Sequence, residues 1–231
     1  MADGSPRPFE ALLFDMDGLL LDTERLFMEA LVTVSRPLGL DEGEVRAFFL
    51  TLVGTSVQKT TQRLAEFLPD GVDVAAFDQT WRAANAAQRQ GPVPLRPTVG
   101  QVIPALAASG HRMAVVTSTK RAPALDHLRS AGLLDHFEII VGGDEVSANK
   151  PDPAPYLQAA RALGVDPTRC AAFEDSDLGT QAAVAAGCVT TQIPDLRPDV
   201  PMPALGQRRA TDLEGAVTAL GIDLPGAPAT A

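Results

Sequence analysis

Residues 9–24 read FEALLFDMDGLLLDTE. The run Ala11, Leu12, Leu13, Phe14 is short, bulky and apolar, the pattern of a strand buried on both faces in a parallel sheet covered by helices. It breaks at once into acid: Asp15 and Asp17 flank Met16, and Gly18 behind them lets the chain turn sharply. In an open parallel sheet, ligands bind at the carboxyl ends of the strands. Two carboxylates this close resist joint ionisation unless a cation lies between them or one keeps a proton. A hard divalent ion such as Mg2+ takes oxygen ligands, so one carboxylate, one main-chain carbonyl and a third acid from elsewhere suffice to hold it. Alone, Asp-x-Asp-Gly equally describes a solvated turn, and the rest of the chain decides between the two.

Downstream, three further apolar runs end in polar residues. Met113 to Val116 predict a second buried strand that ends in Thr117, Ser118 and Thr119. Hydroxyls and free amides where a strand gives way to a helix can converge on an anion, and they can equally cap the helix. The run FEIIVGG predicts a third strand, leading into DEVSANKPDPAPY, where Lys150 directly precedes Pro151. Proline restrains the lysine backbone toward the extended region, so its ammonium is aimed more reproducibly than on a free loop. The run CAAFEDSDLG predicts a fourth strand ending in Glu174 and Asp175, either of which is a natural third anchor for a cation held by Asp15. Asp177 is read mainly as a helix N-terminal cap. CVTTQIPDL predicts a fifth strand, and a weaker strand and a last helix near ATDLEGAVTALG close the fold. Helices are expected at Thr98 to Ser109, near Pro123 to Ala131, at Ala154 to Leu163 and from Ser176 to Gly187.

Between Asp22 and about Gln90 the strand-like runs vanish. TERLFMEALVTVSRPLGL and VQKTTQRLAEFL carry apolar residues at helical spacing, which predicts a helical insert. It is closed by Gly91 and by prolines 92, 94 and 97, a stiff non-helical return. The expected organisation is a Rossmann-like, doubly wound α/β core at residues 1–21 and 96–231, with a helical cap at residues 22–95. The two crossings are candidate hinges, and a cap moving on them would exclude water from the acids.

The 231-residue chain is 45% hydrophobic, enough for one large domain or a core with a smaller insert. No stretch approaches the roughly 20 apolar residues that span a bilayer, so no membrane partner is expected. A formal charge of −10 argues against nucleic acid as the main partner, yet a local cation with one lysine still holds a small phosphorylated molecule. Cys170 and Cys188 lie in small-residue apolar stretches, the setting of buried free thiols. With no disulfide framework and no secretory signal pattern in MADGSPRPFE, the cytoplasm is the expected location, and the acidic surface is compatible with a monomer. The ends, residues 1–8 and LPGAPATA, read as loose tails.

Alternating strands and helices would bring the four decorated strand ends to one edge. That set is complementary to a phosphate. Asp15 can attack phosphorus in line to form an aspartyl-phosphate, with a metal offsetting anion repulsion. Asp17 can give a proton to the leaving oxygen and later take one from water. Thr117, Ser118 and Lys150 can bind the phosphoryl oxygens.

DMDGLLLDTE, the strand ending VVTST, Lys150 in ANKPDP and FEDSDLG resemble, in order, the four motifs of the haloacid dehalogenase superfamily, over about Phe9 to Gly221. The resemblance implies a Rossmann-like core with an α-helical cap inserted after the first motif, and Mg2+ dependence. By similarity Asp15 is the nucleophile and Asp17 the acid/base whose main-chain carbonyl also binds metal. Thr117 and Lys150 contact phosphate, and Asp175, with Glu174 beside it, completes the metal site. The presence of Asp17 favours phosphate esters over dehalogenation. The β-phosphoglucomutase branch, the alternative enzymatic reading, typically carries a histidine where this chain has Phe27. The opening DMDGLLLDTERLF is similar to that of small-metabolite phosphatases, including pseudouridine-5'-phosphatase and sugar- and polyol-phosphate phosphatases. A non-catalytic binding protein on the same fold would usually have lost Asp15, Asp17, Lys150 or Asp175. Specificity is expected from the cap, with Glu24, Phe27, Lys59 and Trp81 as candidates, and Arg121 could reach substrate or a carboxylate; Phe27 and Trp81 equally fit the cap's own core.

Overall fold

The computed structural model of the chain describes residues 7–53, 57–89, 91, 93–196 and 208–224. Six parallel strands form one sheet: β1 (Ala11–Phe14), β2 (Met113–Val116), β3 (Ile139–Val141), β4 (Cys170–Glu174), β5 (Val189–Gln192) and β6 (Arg208–Arg209). Their order is β3-β2-β1-β4-β5-β6. The chain moves one way from β1 to β3 and then crosses back to β4, so the order reverses between β1 and β4, the crevice where such sheets bind ligands.

Strands β1, β2 and β4 are buried on both faces, and their residues alternate between two cores, whereas the edge strand β6 is exposed to half-buried. Leu12, Phe14, Met113, Val115 and Phe173 face one side, where they meet α5 (Val99–Ala108), α6 (Arg121–Ser130) and α9 (Leu213–Ala219). Ala11, Leu13, Ala114, Val116 and Ala172 face the other, under α7 (Ala154–Leu163) and α8 (Asp177–Ala185). Phe14 and Phe173, register partners on β1 and β4, stack with centroids 5.0 Å apart. Both cysteines are free and buried, and burial pushes their thiols up to about 11 for Cys170 and about 12 for Cys188, which makes them poor nucleophiles.

Between β1 and α5 the described residues form four α-helices: α1 (Thr23–Ser35), α2 (Glu42–Leu52), α3 (Val57–Phe67) and α4 (Val74–Gln88). They share a third hydrophobic cluster that includes Leu31, Val45, Phe49, Leu64 and Trp81. Trp81 is fully buried, stacks on Phe27 at 4.1 Å and donates its indole N–H to the Phe27 carbonyl. Asp41 caps α2 and Asp73 caps α4 through side-chain oxygens that accept from first-turn amides. The two crossings pair with each other. Leu21 bridges antiparallel to Leu95, the Asp22 amide donates to Pro94, and the Arg96 amide donates to Leu20. Pro92, one of the residues read as stiffening the return, lies outside the described residues, as do residues 1–6 and 225–231 of the two tails.

The elements expected from sequence are present, with shifts at their ends. The helix expected from Pro123 starts two residues earlier, at Arg121, because a proline in the first turn lacks only an N–H that has no intrahelical acceptor anyway. At α8 the cap is Ser176, whose hydroxyl accepts from the Gly179 amide. Asp177, read as the cap, is the first helical residue and instead accepts a hydrogen bond from Gln192 Nε2.

Candidate active site

The apolar strands deliver their polar ends to one place. Asp15 follows β1, with its amide bonded to the Phe173 carbonyl of β4, so its side chain leaves the sheet at the point of reversal. Thr117 follows β2 in the same way, bonded to Val141 of β3. Lys150 arrives from the loop after β3 and is nearly buried. Its ammonium donates to Asp15 Oδ1 at 2.5 Å, Glu174 Oε1 at 2.6 Å and the Val116 carbonyl at 2.8 Å. All three donor directions of the ammonium are used.

Glu174 has no exposed surface and is held from three sides. Its Oε1 accepts from Lys150 and from the buried Tyr156 hydroxyl at 2.6 Å, and its Oε2 faces the Ser176 hydroxyl at 3.3 Å. Such saturation suits Glu174 to anchoring Lys150. Asp175 is turned toward the first motif, where a Cβ built on Gly18 would fall 2.3 Å from its Oδ2. Gly18 has φ +88°, so glycine serves both the turn and the approach of this acid.

Asp15, Glu174 and Asp175 offer carboxylate oxygens within 4.8 Å of one another. Burial lifts the Asp15 carboxyl to about 8; Lys150 pulls against that lift, while Glu174 and Asp17 add to it. Burial, then Asp15 and Glu174, also raise Asp175 well above the carboxylate range. Lys150 stays charged: burial disfavours its ammonium, but Asp15 and Glu174 outweigh it and the net shift is upward. Three acids share one ammonium in a buried, all-oxygen setting, and two of them resist ionising without further positive charge. The donor set therefore fits a hard divalent cation.

Asp17 lies outside that cluster. Its Oδ2 accepts from Thr119 Oγ1 at 2.7 Å and from Thr117 Oγ1 at 3.3 Å, and its Oδ1 accepts from Arg89 at 2.5 Å. A cavity of about 530 Å3 opens over Asp15, Asp17, Thr117, Ser118, Lys150 and Asp175. Every residue singled out from the sequence as catalytic or phosphate-binding lines it, and of the four metal candidates only Glu174 does not.

The cap candidates divide. Glu24 lines the cavity, and burial lifts its carboxyl to about 7, with Asp195 and Asp17 adding and Arg89 opposing. Asp195, also at the cavity, sits 2.5 Å from Arg96 and is lifted by burial to about 6. Phe27 and Trp81 belong to the core of the four helices. Lys59 is exposed and donates to Gln62; one turn on, Arg63 reaches the cavity, held by the Thr51 carbonyl. Arg121 bonds the Ile140 carbonyl and Glu145 rather than the cavity, so of its two readings the carboxylate is the one made.

Arg89, Tyr156, Arg63 and Asp195 were not legible as site residues. Tyr156 sits on an apolar helix face and reads as core, and only the buried Glu174 gives its hydroxyl a task. Arg89 ends an alanine-rich helix and reads as surface; its nearness to Gly91 and the return crossing was the available signal.

Residues 12–193 match the family described as haloacid dehalogenase-like hydrolase. Protein CbbY of Rhodobacter capsulatus is 37% identical over 190 residues, covering 77% of this chain and 82% of that protein. The phosphorylated carbohydrates phosphatase of Thermotoga maritima is 32% identical over 178 residues, with the same coverage of 77% and 82%. A crystal structure of a HAD family hydrolase from Deinococcus radiodurans R1, with bound phosphate and sodium, superposes with a TM-score of 0.74 at 29% identity, covering 95% of this chain and 99% of that one. By its sequence match and its fold, the chain belongs to the haloacid dehalogenase-like hydrolase family.

Proposed function

We propose that the protein is a Mg2+-dependent phosphomonoesterase acting on a small phosphorylated metabolite, in the first instance a sugar or polyol phosphate. The observation that carries this reading is the Asp15 carboxylate, set at the point of sheet reversal beside Lys150, Glu174 and Asp175 and open to a cavity of metabolite size. The relative named as a phosphatase of phosphorylated carbohydrates supports the choice of substrate class.

In this reading an Asp15 oxygen forms a bond to phosphorus as the ester P–O bond breaks in line, and the departing alkoxide takes a proton from Asp17. Water then attacks the aspartyl-phosphate, giving its proton to Asp17 and releasing Asp15 and inorganic phosphate. The Thr117 and Ser118 hydroxyls and the Lys150 ammonium bind the phosphoryl oxygens, and Lys150 keeps Asp15 oriented between turnovers. Asp15, the Asp17 carbonyl and Asp175 would hold Mg2+, whose charge offsets repulsion between the Asp15 carboxylate and the phosphate. The helices from residue 22 to residue 95 act as a lid, and Glu24 and Arg63 face the non-phosphate part of the substrate.

The test is phosphate release from a panel of sugar, polyol and nucleoside phosphates with and without Mg2+, with Asp15→Asn as the blank. Release that needs the metal and disappears in the variant is expected. Wild-type-like turnover by Asp15→Asn would defeat the mechanism, and interconversion of sugar phosphates without net phosphate release would mean a mutase.

A further inference from the structure

The Asp17 carboxylate is held from two sides by parts of the chain that belong to different layers. Thr117 and Thr119, after β2 in the sheet layer, bond one oxygen. Arg89, the residue that closes α4, bonds the other at 2.5 Å. The same guanidinium lies 3.4 Å from His127 Nδ1 on α6.

Helix packing does not explain this contact. The side chains of Arg89 and Asp17 are only 22% and 26% exposed, and the contact joins the end of α4 to the loop after β1 rather than one helix face to another. Arg89 Nε is buried without a hydrogen-bond partner, so the guanidinium is not placed to satisfy its own donors. A second cavity of about 520 Å3, lined by Asn85, Arg89, Thr119 and His127 among others, gives the side chain room on the side of the seam where His127 lies. The guanidinium nevertheless reaches Asp17.

The geometry has a mechanical consequence. With only Thr117 and Thr119, the carboxylate is held at one oxygen and from the sheet layer alone. With Arg89 both oxygens are held, one from the sheet layer and one from the end of α4, so the orientation of the group depends on both layers. We propose that Arg89 is a positioning residue for Asp17, which aligns the carboxylate when the four-helix insert lies against the sheet layer and so couples the insert's position to the acid/base. The role rests on the phosphatase reading above and adds to it a residue that touches Asp17 rather than substrate. Lysine is a poor replacement, because a compact ammonium on a different reach does not present the planar, forked donors of a guanidinium.

The test compares Arg89→Ala, Arg89→Lys and, as a control on the same helix, Arg82→Ala, which removes a pair with Asp78 away from the cavity. The full chain is assayed with Mg2+ and the best substrate of the panel, with and without added guanidinium ion. Loss of Arg89 is expected to lower kcat by at least about tenfold, a part of the roughly 10²–10⁴-fold that a positioned acid/base contributes. KM should change by less than about twofold, since the interaction is with Asp17 and not with substrate. Guanidinium should restore part of the kcat of Arg89→Ala in a saturable way and leave Arg82→Ala unchanged, and Arg89→Lys should be intermediate. A kcat for Arg89→Ala near the wild-type value, a change confined to KM, or a loss that guanidinium does not restore would each overturn the role. Failure of the underlying reading shows elsewhere: an inactive wild type, or an active Asp15→Asn, removes the phosphatase and this role together, whereas an active wild type with a normal Arg89→Ala removes this role alone.

Discussion

Gly18 sets the closest approach between the first and fourth motifs. Its φ of +88° lies where a side chain is strained, and a Cβ there would fall 2.3 Å from Asp175 Oδ2. Gly18→Ala therefore meets two penalties, about 1–3 kcal/mol for the backbone and the displacement of an acid proposed to hold the metal. The expected result is a lower melting temperature and, at saturating substrate, a higher Mg2+ concentration for half-maximal turnover. An unchanged metal requirement would place the metal away from Asp175. The sequence supports this reading only in part. That a glycine behind Asp17 lets the chain turn is legible from DMDG, but the proximity of Asp175, 157 positions later, is a property of the β1–β4 pairing. Glu174 shows the opposite limit. It and Asp175 are adjacent acids with the same candidate role in FEDSD, and only the Lys150 and Tyr156 contacts separate the anchor of a lysine from the acid facing Gly18.

Strands β1 to β4 were the easiest elements to read, because each carries a continuous apolar run that gives way to polar or glycine residues, while β5 (VTTQ) and β6 (RR) lack that pattern. The helices α2 and α4 were harder. In EGEVRAFFLTL the stripe of Val45, Phe48, Phe49 and Leu52 is blurred by the exposed Leu50, and in VAAFDQTWRAANAAQ the stripe of Val74, Phe77 and Trp81 runs out into alanines, while the Asp41 and Asp73 caps are short-range signals. Helix α1 shows how an element imports chemistry into the cavity. Its first turn carries Glu24 beside Asp195 and Asp17, where burial lifts the carboxyl to about 7 from an ordinary 4.5. The folded protein thus binds a proton that the unfolded chain has released, and the sign follows: this carboxyl costs stability as pH rises from about 4.5, and the full cost is present above about 7. Glu24→Gln cannot lose that proton. In metal-free protein, the melting temperature of the variant minus that of the wild type should climb between pH 4.5 and 7 and level off above it. A difference that stays flat across this interval would mean that Glu24 is solvated like an ordinary surface acid.

At the scale of the molecule, Lys150 is the part on which most of the architecture converges. Its ammonium joins the end of β1 through Asp15, the end of β2 through the Val116 carbonyl and the end of β4 through Glu174. The sequence marks it only as a lysine held before a proline, and its importance depends on three strands ending side by side. A hydrophobic replacement of similar length separates its structural and chemical roles. Lys150→Met leaves Asp15 and Glu174 buried without their shared cation, and breaking a buried pair from one side costs about 3–5 kcal/mol. For a chain of this size each kcal/mol moves the melting temperature by about 2–4 °C, so a fall of roughly 6–20 °C is expected at pH 8 in EDTA. Mg2+ binding at the same acids would replace part of the missing positive charge and stabilise the folded state by linkage. The gap between variant and wild type should therefore be smaller in Mg2+ than in EDTA, while phosphate release stays far below wild type because the phosphoryl oxygens have lost a ligand. If the melting temperatures coincide, Lys150 does not hold the acids together. If the gap is the same with and without Mg2+, the ion does not bind among Asp15, Glu174 and Asp175.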